Sequence, residues 1–360
     1  MDKESFLLTL SSSLQGIIWG ANSIIIPLYF KSLGLSPLLI GEILGGAILL
    51  SSFFSLFWSS LGDAYGRKKF IFISRGISFT ALALLLFFPI SYLFVNQGFG
   101  LISALMAEKA KDLDKVMAYR ASLNILFSIV GSLLPMFLTY REIILLECFI
   151  VLTSTLLLLP VKEKYKGTGK FSLKVSSLKF LGKLTTEAII GLGAGILLPM
   201  LSLWFNLKFG VSAHSLSPIY TIAEATLALG TLFAPKIGEA LGRIKAIFVT
   251  HMIAIFFLFL MPFSPTFVIA GVLYILRNTM MNLTGPLMSS FVMKAVKEEE
   301  RSRINSMLQI LDSIPRSLGP EITGYLFSLG NLSFPFFITG SLYLVATILF
   351  YFFFKDFNYV

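Results

Sequence analysis

Apolar runs about as long as a membrane is thick constrain this chain more than any other feature. A bilayer core of roughly 30 Å takes about 20 apolar residues in a helix. Such runs follow one another from Phe6 to Phe354, separated mostly by short polar breaks. With 56% hydrophobic and 13% charged residues, a water-soluble domain would lack the polar surface to cover itself. Backbone groups in lipid must be satisfied within each segment, so the runs read as helices. The expected class is an all-α polytopic membrane protein.

Twelve spans fit: 6–31, 38–60, 70–88, 90–108, 116–139 and 141–160, then 184–207, 215–235, 245–262, 265–290, 303–328 and 332–354. The run 70–107 is too long for one crossing, and Pro89-Ile90-Ser91 divides it as a hairpin; Ser264-Pro265 does the same in the second half. The resulting organisation is a six-helix bundle at 1–160, a linker at 161–183 and a second bundle at 184–360. The run from Phe6 reads as the first span rather than a cleaved leader.

Charge placement orients these spans. Of 29 basic residues, 23 fall at the termini or in alternate loops, and only Lys31, Arg141 and Lys208 fall on the other side. Lys and Arg concentrate in cytoplasmic loops. Both termini are therefore expected in the cytoplasm of a plasma-membrane protein. The net charge of +10 then reflects orientation and anionic headgroups, not nucleic acid. In the linker, Phe171, Val175, Leu178 and Leu181 recur at helical spacing among lysines, as in a helix lying on the inner leaflet. A linker resting on lipid is favoured there over a regulatory site.

The chain also repeats itself. Gly62-Asp63-Ala64-Tyr65-Gly66-Arg67-Lys68-Lys69 returns 176 residues later as Gly238-Glu239-Ala240-Leu241-Gly242-Arg243-Ile244-Lys245. Ile24-Ile25-Ile26-Pro27 answers Ile196-Leu197-Leu198-Pro199, and Tyr92, Asn96 and Met106 answer Tyr274, Asn278 and Met288. Weak symmetry between six-span halves is a mark of secondary transporters.

On these residues the sequence resembles the major facilitator superfamily of secondary transporters. The family signature between spans two and three is Gly-x-x-x-Asp-Arg-x-Gly-Arg-Lys. Asp63, Gly66, Arg67 and Lys68 match it, while Ser59 and Ala64 replace its first Gly and its first Arg. The resemblance covers the whole chain and implies two pseudo-symmetric six-helix bundles. It further implies a conformational latch at Asp63, Gly66, Arg67 and Lys68, with Glu239, Gly242 and Arg243 as the weaker copy. The span-four motif tied to proton coupling lacks its Arg, which is Phe94 here. The Gly-Pro antiporter motif survives as Gly131 and Pro135, and more fully as Gly319-Pro320.

Ionisable residues deep in spans mark cavities or pairing partners. Glu224, Arg277, Asp312 and Arg316 are the candidates for substrate or proton coupling, with a structural salt-bridge network as the alternative. If Glu224 or Asp312 lacked a cation partner, burial would favour its protonated form. Gln15, Trp19 and Asn22 share one face of span one; with Asn96, Trp204, Asn278 and Asn282 they are the candidates for lining a cavity. Glu42, Glu147, Glu187 and Glu321 rank lower, as partly wet or paired acids. Arg75 is expected to snorkel inward or to pair with Glu108.

One cysteine, Cys148, and two distant histidines, His214 and His251, offer no metal motif. No cofactor and no enzymatic constellation are expected. The leading expectation is a monomeric secondary transporter for a small hydrophobic or amphipathic molecule, with proton-coupled drug-type efflux as one form. A sugar or organic-ion uptake carrier and a non-transporting sensor of the same fold remain the alternatives.

Overall fold

The structure, a computed structural model, describes residues 2–95, 99–110, 113–167, 185–288 and 301–355. These residues form helices and turns, with no strand among them. In chain order, α1 is Lys3–Ser13 continued by Gln15–Ser32, α2 is Pro37–Tyr65 and α3 is Arg67–Leu85. Next, α4 is a 3-10 turn at Pro89–Phe94 followed by Phe99–Lys109, α5 is Leu113–Leu133 and α6 is Tyr140–Leu156. In the second half, α7 is Thr185–Leu197 continued by Leu201–Phe209, α8 is Ala213–Leu241 and α9 is Arg243–Leu260. Finally, α10 is Phe267–Asn282, α11 is Arg301–Ser328 and α12 is Phe334–Phe354.

These are the twelve expected spans. Seven of them are long and apolar enough to cross a membrane by length and composition alone. The remaining spans are shorter, interrupted or more polar. Proline accounts for several interruptions. Leu134-Pro135-Met136, Leu198-Pro199-Met200 and Met261-Pro262-Phe263 each tighten into one 3-10 turn. The ring removes an N–H that the α-helical ladder needs, and the chain takes the shorter-range bond. Opposite the ends that carry the repeated Gly-acid-Ala turns, helices start on side-chain caps. Thr139 and Glu142 close a capping box on α6, and Ser212 and Thr266 cap α8 and α10.

By contacts the chain divides into two compact units, Met1–Phe30 with Gly46–Lys174, and Lys31–Gly45 with Val175–Val360. The start of α2 thus belongs with the second unit. There, Gly41 and Gly45 bring it against the α11 backbone at Pro320 and Ser317. Each unit has a closed apolar core at its basic end. Leu8, Trp58, Phe70, Leu101, Leu105 and Leu158 build the first, and Ala234, Ile247, Leu283, Leu287, Phe350 and Phe354 the second.

Inside each unit the first and fifth of its helices, α1 with α5 and α7 with α11, also meet backbone to backbone. In the first unit, Gly16 and Gly20 of α1 face Asn124 and Ser128 of α5. A Cβ on either glycine would fall on the facing carbonyl oxygen. In the second, Gly191 and Gly195 of α7 face the carbonyls of Asp312 and Arg316 of α11 in the same way. Small residues four apart are how membrane helices come this close.

Candidate functional site

The repeated turn sits at the basic end of each unit. Gly66 holds φ +98° and Gly242 φ +79°, so each copy reverses the chain through a conformation that side-chain-bearing residues avoid. In the first copy Arg67 reaches back four residues, with Nη2 and Nε at 3.1 and 3.2 Å from Asp63 Oδ1. It also donates to the Ala104 carbonyl and lies 4.2 Å from the centre of the Tyr165 ring.

Sequence reasoning missed the strap that closes over this turn. Glu163 accepts from the backbone N–H of Arg67 at 2.6 Å and of Lys68 at 2.9 Å, placing a carboxylate on the first turn of α3. Tyr165 donates to the Asp63 carbonyl, and Gly167 packs on Ala64 so closely that no Cβ fits. Lys68 Nζ donates to the carbonyls of Leu159 and Val161. The N–H groups of Lys162 and Lys164 donate to Glu4 and Glu108, and Lys109 pairs with both acids. Only a local run of alternating Lys and acid at 162–164 hints at this in the sequence. The amphipathic segment proposed to follow, and Asn96, lie outside the described residues.

Arg75 does not pair with Glu108. It is buried, and donates to the Ser11 and Ser154 hydroxyls at 2.8 and 3.2 Å. Arg75 lies two turns inside α3, while Glu108 is engaged elsewhere: its Oε1 takes the Lys164 N–H and its carboxylate faces Lys109.

The four charged candidates of the second unit fall into separate places. Asp312 and Arg316 form a two-point ion pair, Nη2 to Oδ1 at 2.7 Å and Nε to Oδ2 at 2.8 Å. Asp312 therefore has a cation partner. Glu187 on α7 lies within electrostatic reach of both. Its place follows from spacing, since Glu187, Gly191 and Gly195 share one helix face and the glycines fix the distance to α11. The same periodicity in the sequence would have singled out Glu187, which ranked low.

Arg277 stands apart from that pair. It is 2% exposed, donates from Nη2 to the Tyr343 hydroxyl at 3.1 Å and lies over that ring, while Nε and Nη1 have no partner among the described residues. The amide nitrogen of its neighbour Asn278 is also unpartnered, and the Asn278 side-chain oxygen accepts from Asn282. Glu224 on α8 makes no hydrogen bond or ion pair among the described residues; Tyr274 is within reach of its charge. Trp204, expected to line a cavity, is fully buried among Phe205, Phe209 and Phe336, because its helix turns that face into the aromatic core.

On α1, Gln15 and Asn22 are half-buried and Trp19 is 51% exposed, so the predicted shared face is accessible. Asn22 donates to Glu147 on α6 at 3.4 Å. Glu147 is not partly wet: none of its surface is exposed. Among the described residues no group of three or more His, Cys, Asp or Glu could hold a metal ion.

A family model described as Major Facilitator Superfamily matches residues 8–185 and 184–357. Among solved structures, the chain is similar to the nucleoside transporter NupG, with a TM-score of 0.74 at 15% identity, covering 99% of this chain and 100% of that one. It is similar to a D-xylose-proton symporter, with a TM-score of 0.73 at 14% identity and coverage of 96% and 97%. A bacterial homologue of the human lysosomal transporter Spinster gives a TM-score of 0.75 at 13% identity, covering 98% and 96%. At such identities the likeness is one of fold. A search of curated proteins returned no match.

Proposed function

The chain belongs to the Major Facilitator Superfamily, as a multi-pass membrane protein of the secondary-transporter fold, and we propose that it moves a small amphipathic molecule by alternating access, coupled to protons. One observation carries this reading. The seam of the second unit holds two carboxylates, Glu187 and Asp312, around a single guanidinium, Arg316. One cation neutralises one acid, and the leftover carboxylate is the place for a proton. Glu224 is a second candidate for that proton. The accessible α1 face of Gln15, Trp19 and Asn22 has an indole between two amides and no charge, which suits a substrate with an apolar body and few polar groups. The loop of Asp63, Gly66, Arg67 and Lys68 serves as the conformational latch, with Glu239, Gly242 and Arg243 as its weaker copy. The protein works in the plasma membrane with both termini in the cytoplasm, as a monomer and in the direction of efflux.

Three unpartnered donors on Arg277 and Asn278 favour a second reading, uptake of a solute rich in acceptors such as a sugar or organic anion. Purified protein in liposomes under a pH gradient separates the two. A lipophilic cationic dye, a nucleoside and a pentose serve as probes. Gradient-driven movement of the dye, lost in Glu187→Gln or Asp312→Asn, is the expected result. Movement of the nucleoside or pentose instead supports uptake. Binding of a probe without any flux overturns transport in favour of a sensor.

A further inference from the structure

The first unit contains a buried acid that the transport reading does not use. Glu147 sits two turns into α6 with none of its surface exposed. Its Oε2 accepts from the Asn22 amide nitrogen at 3.4 Å. Two oxygens in this pair have no hydrogen-bond partner among the described residues, Oε1 of Glu147 and Oδ1 of Asn22. Both are acceptors, and they sit on groups already joined at their other ends.

An ionised carboxylate only accepts, so it would leave both oxygens unsatisfied in a site where Glu147 has no surface exposed. No ion pair reaches Glu147 among the described residues. The groups within its electrostatic reach are Tyr92 from α4 and Cys148 on its own helix, with Asn22 facing it from α1. The buried cation Arg75 is committed to Ser11 and Ser154. None of these supplies the missing donor. One proton on Oε1 supplies it for both oxygens at once, and closes an acid–amide ring in which N–H meets Oε2 and O–H meets Oδ1.

We infer that Glu147 and Asn22 form a proton-binding site in the first unit, with Glu147 held as the neutral acid and Asn22 as the gate through which its proton leaves. Glu147 itself is sealed. The Asn22 amide oxygen is closed to solvent, but the residue is half-buried and stands one turn from the exposed Trp19, so Asn22 is the outward end of the pair. Rotation of that amide away from the acid, by movement of α1 or by a molecule bound on its Trp19 face, removes both hydrogen bonds together. The acid then loses the partners that hold its proton. Asn22 is thereby a positioning residue, and the exchanging atom is the proton on Glu147.

This inference does not rest on the transport reading, because the site can be observed without any substrate. The experiment is infrared difference spectroscopy of the purified protein in liposomes, with H2O exchanged for D2O at neutral pH. The carbonyl stretch of a protonated carboxylic acid should be present, shift on deuteration within the exchange period, and vanish in Glu147→Gln. That variant keeps both hydrogen bonds, since a primary amide pairs with Asn22 as the acid does, and an unchanged melting temperature verifies its fold. Asn22→Ala should accelerate the deuterium shift by at least tenfold. A spectrum unchanged by Glu147→Gln would show the acid ionised and overturn the site. A Glu147 band that never shifts in D2O would show a sealed structural acid and overturn the proton exchange. Neither result bears on Glu187 or Asp312, so failure here is distinct from failure of the proposed coupling.

Discussion

The two glycine seams are the same device built with different charges. Ser12, Gly16 and Gly20 of α1 correspond to Glu187, Gly191 and Gly195 of α7 at a constant offset of 175 residues. Asn124, Ser128 and Gly131 of α5 correspond to Asp312, Arg316 and Gly319 of α11 at an offset of 188. In both, glycine lets backbone meet backbone. The first seam is lined by small polar residues and the second by two acids and an arginine. Close packing therefore does not need the charges. Their presence in one unit alone argues for a task beyond holding helices together, since burying ions adds little net stability over neutral residues.

The strongest blow to this comparison falls on what the seams share. Gly195→Val and Gly20→Val each drive side-chain atoms into a carbonyl of the partner helix. Each is expected to destabilise its unit by about 3 kcal/mol or more, the upper end for overpacking against an unyielding backbone. Thermal unfolding of the detergent-solubilised protein checks this. Tolerance at Gly20 alone would make the first seam the looser of the two.

A middle-sized effect is expected where the seams differ. Glu187→Ser, Asp312→Asn and Arg316→Ser together rewrite the second seam in the image of the first. The triple variant should stay folded while pH-driven flux falls at least tenfold. Asp312→Asn alone takes away the two-point partner of the guanidinium and leaves it facing Glu187, at a cost of about 1–3 kcal/mol. That lies below the range for a fully buried pair, because the partners keep 28% and 29% of their side-chain surface. A triple variant that unfolds outright would return the charges to a structural role.

Asp63→Asn against Glu239→Gln should show the smallest change in stability. Asp63 keeps 59% of its side-chain surface, and an exposed pair of this spacing contributes about 0.3–0.5 kcal/mol. Transport should nonetheless slow more in Asp63→Asn than in Glu239→Gln, with ligand binding largely intact. Equal slowing in flux assays would remove the distinction between the two turns.

Much of this architecture was legible in residue order. Hydrophobic length located the twelve helices, and Pro89 and Pro265 divided the hairpins correctly. The duplicated Gly-acid-Ala turn located both basic ends. What residue order could not show was partnership across distance. Arg75 looks like a snorkelling arginine until Ser11 and Ser154 are found around it, since nothing local encodes contacts with residues 64 and 79 positions away. Glu187 looked peripheral by depth. Its importance comes from helix face, which the glycines at 191 and 195 would have shown had the seam been sought. Trp204 reads as an amphipathic side chain for a cavity and lies instead in an aromatic core, because composition does not reveal which way a helix is turned. The strap over the first turn depends on backbone N–H groups, which no side-chain pattern records.

That strap alters where the first unit ends as a physical object. Residues 161–167 are linker by composition, yet six of them are fastened to the first unit by hydrogen bonds or by close packing. A chain divided after Pro160, for assembly from two separately made pieces, would take the Glu163 carboxylate from the Arg67 and Lys68 amides, and would leave Glu4 and Glu108 with Lys109 but without the strap N–H groups. A division after Gly167 leaves that end whole. The natural joint between the two pieces is therefore one strap's length beyond the last residue of the sixth span.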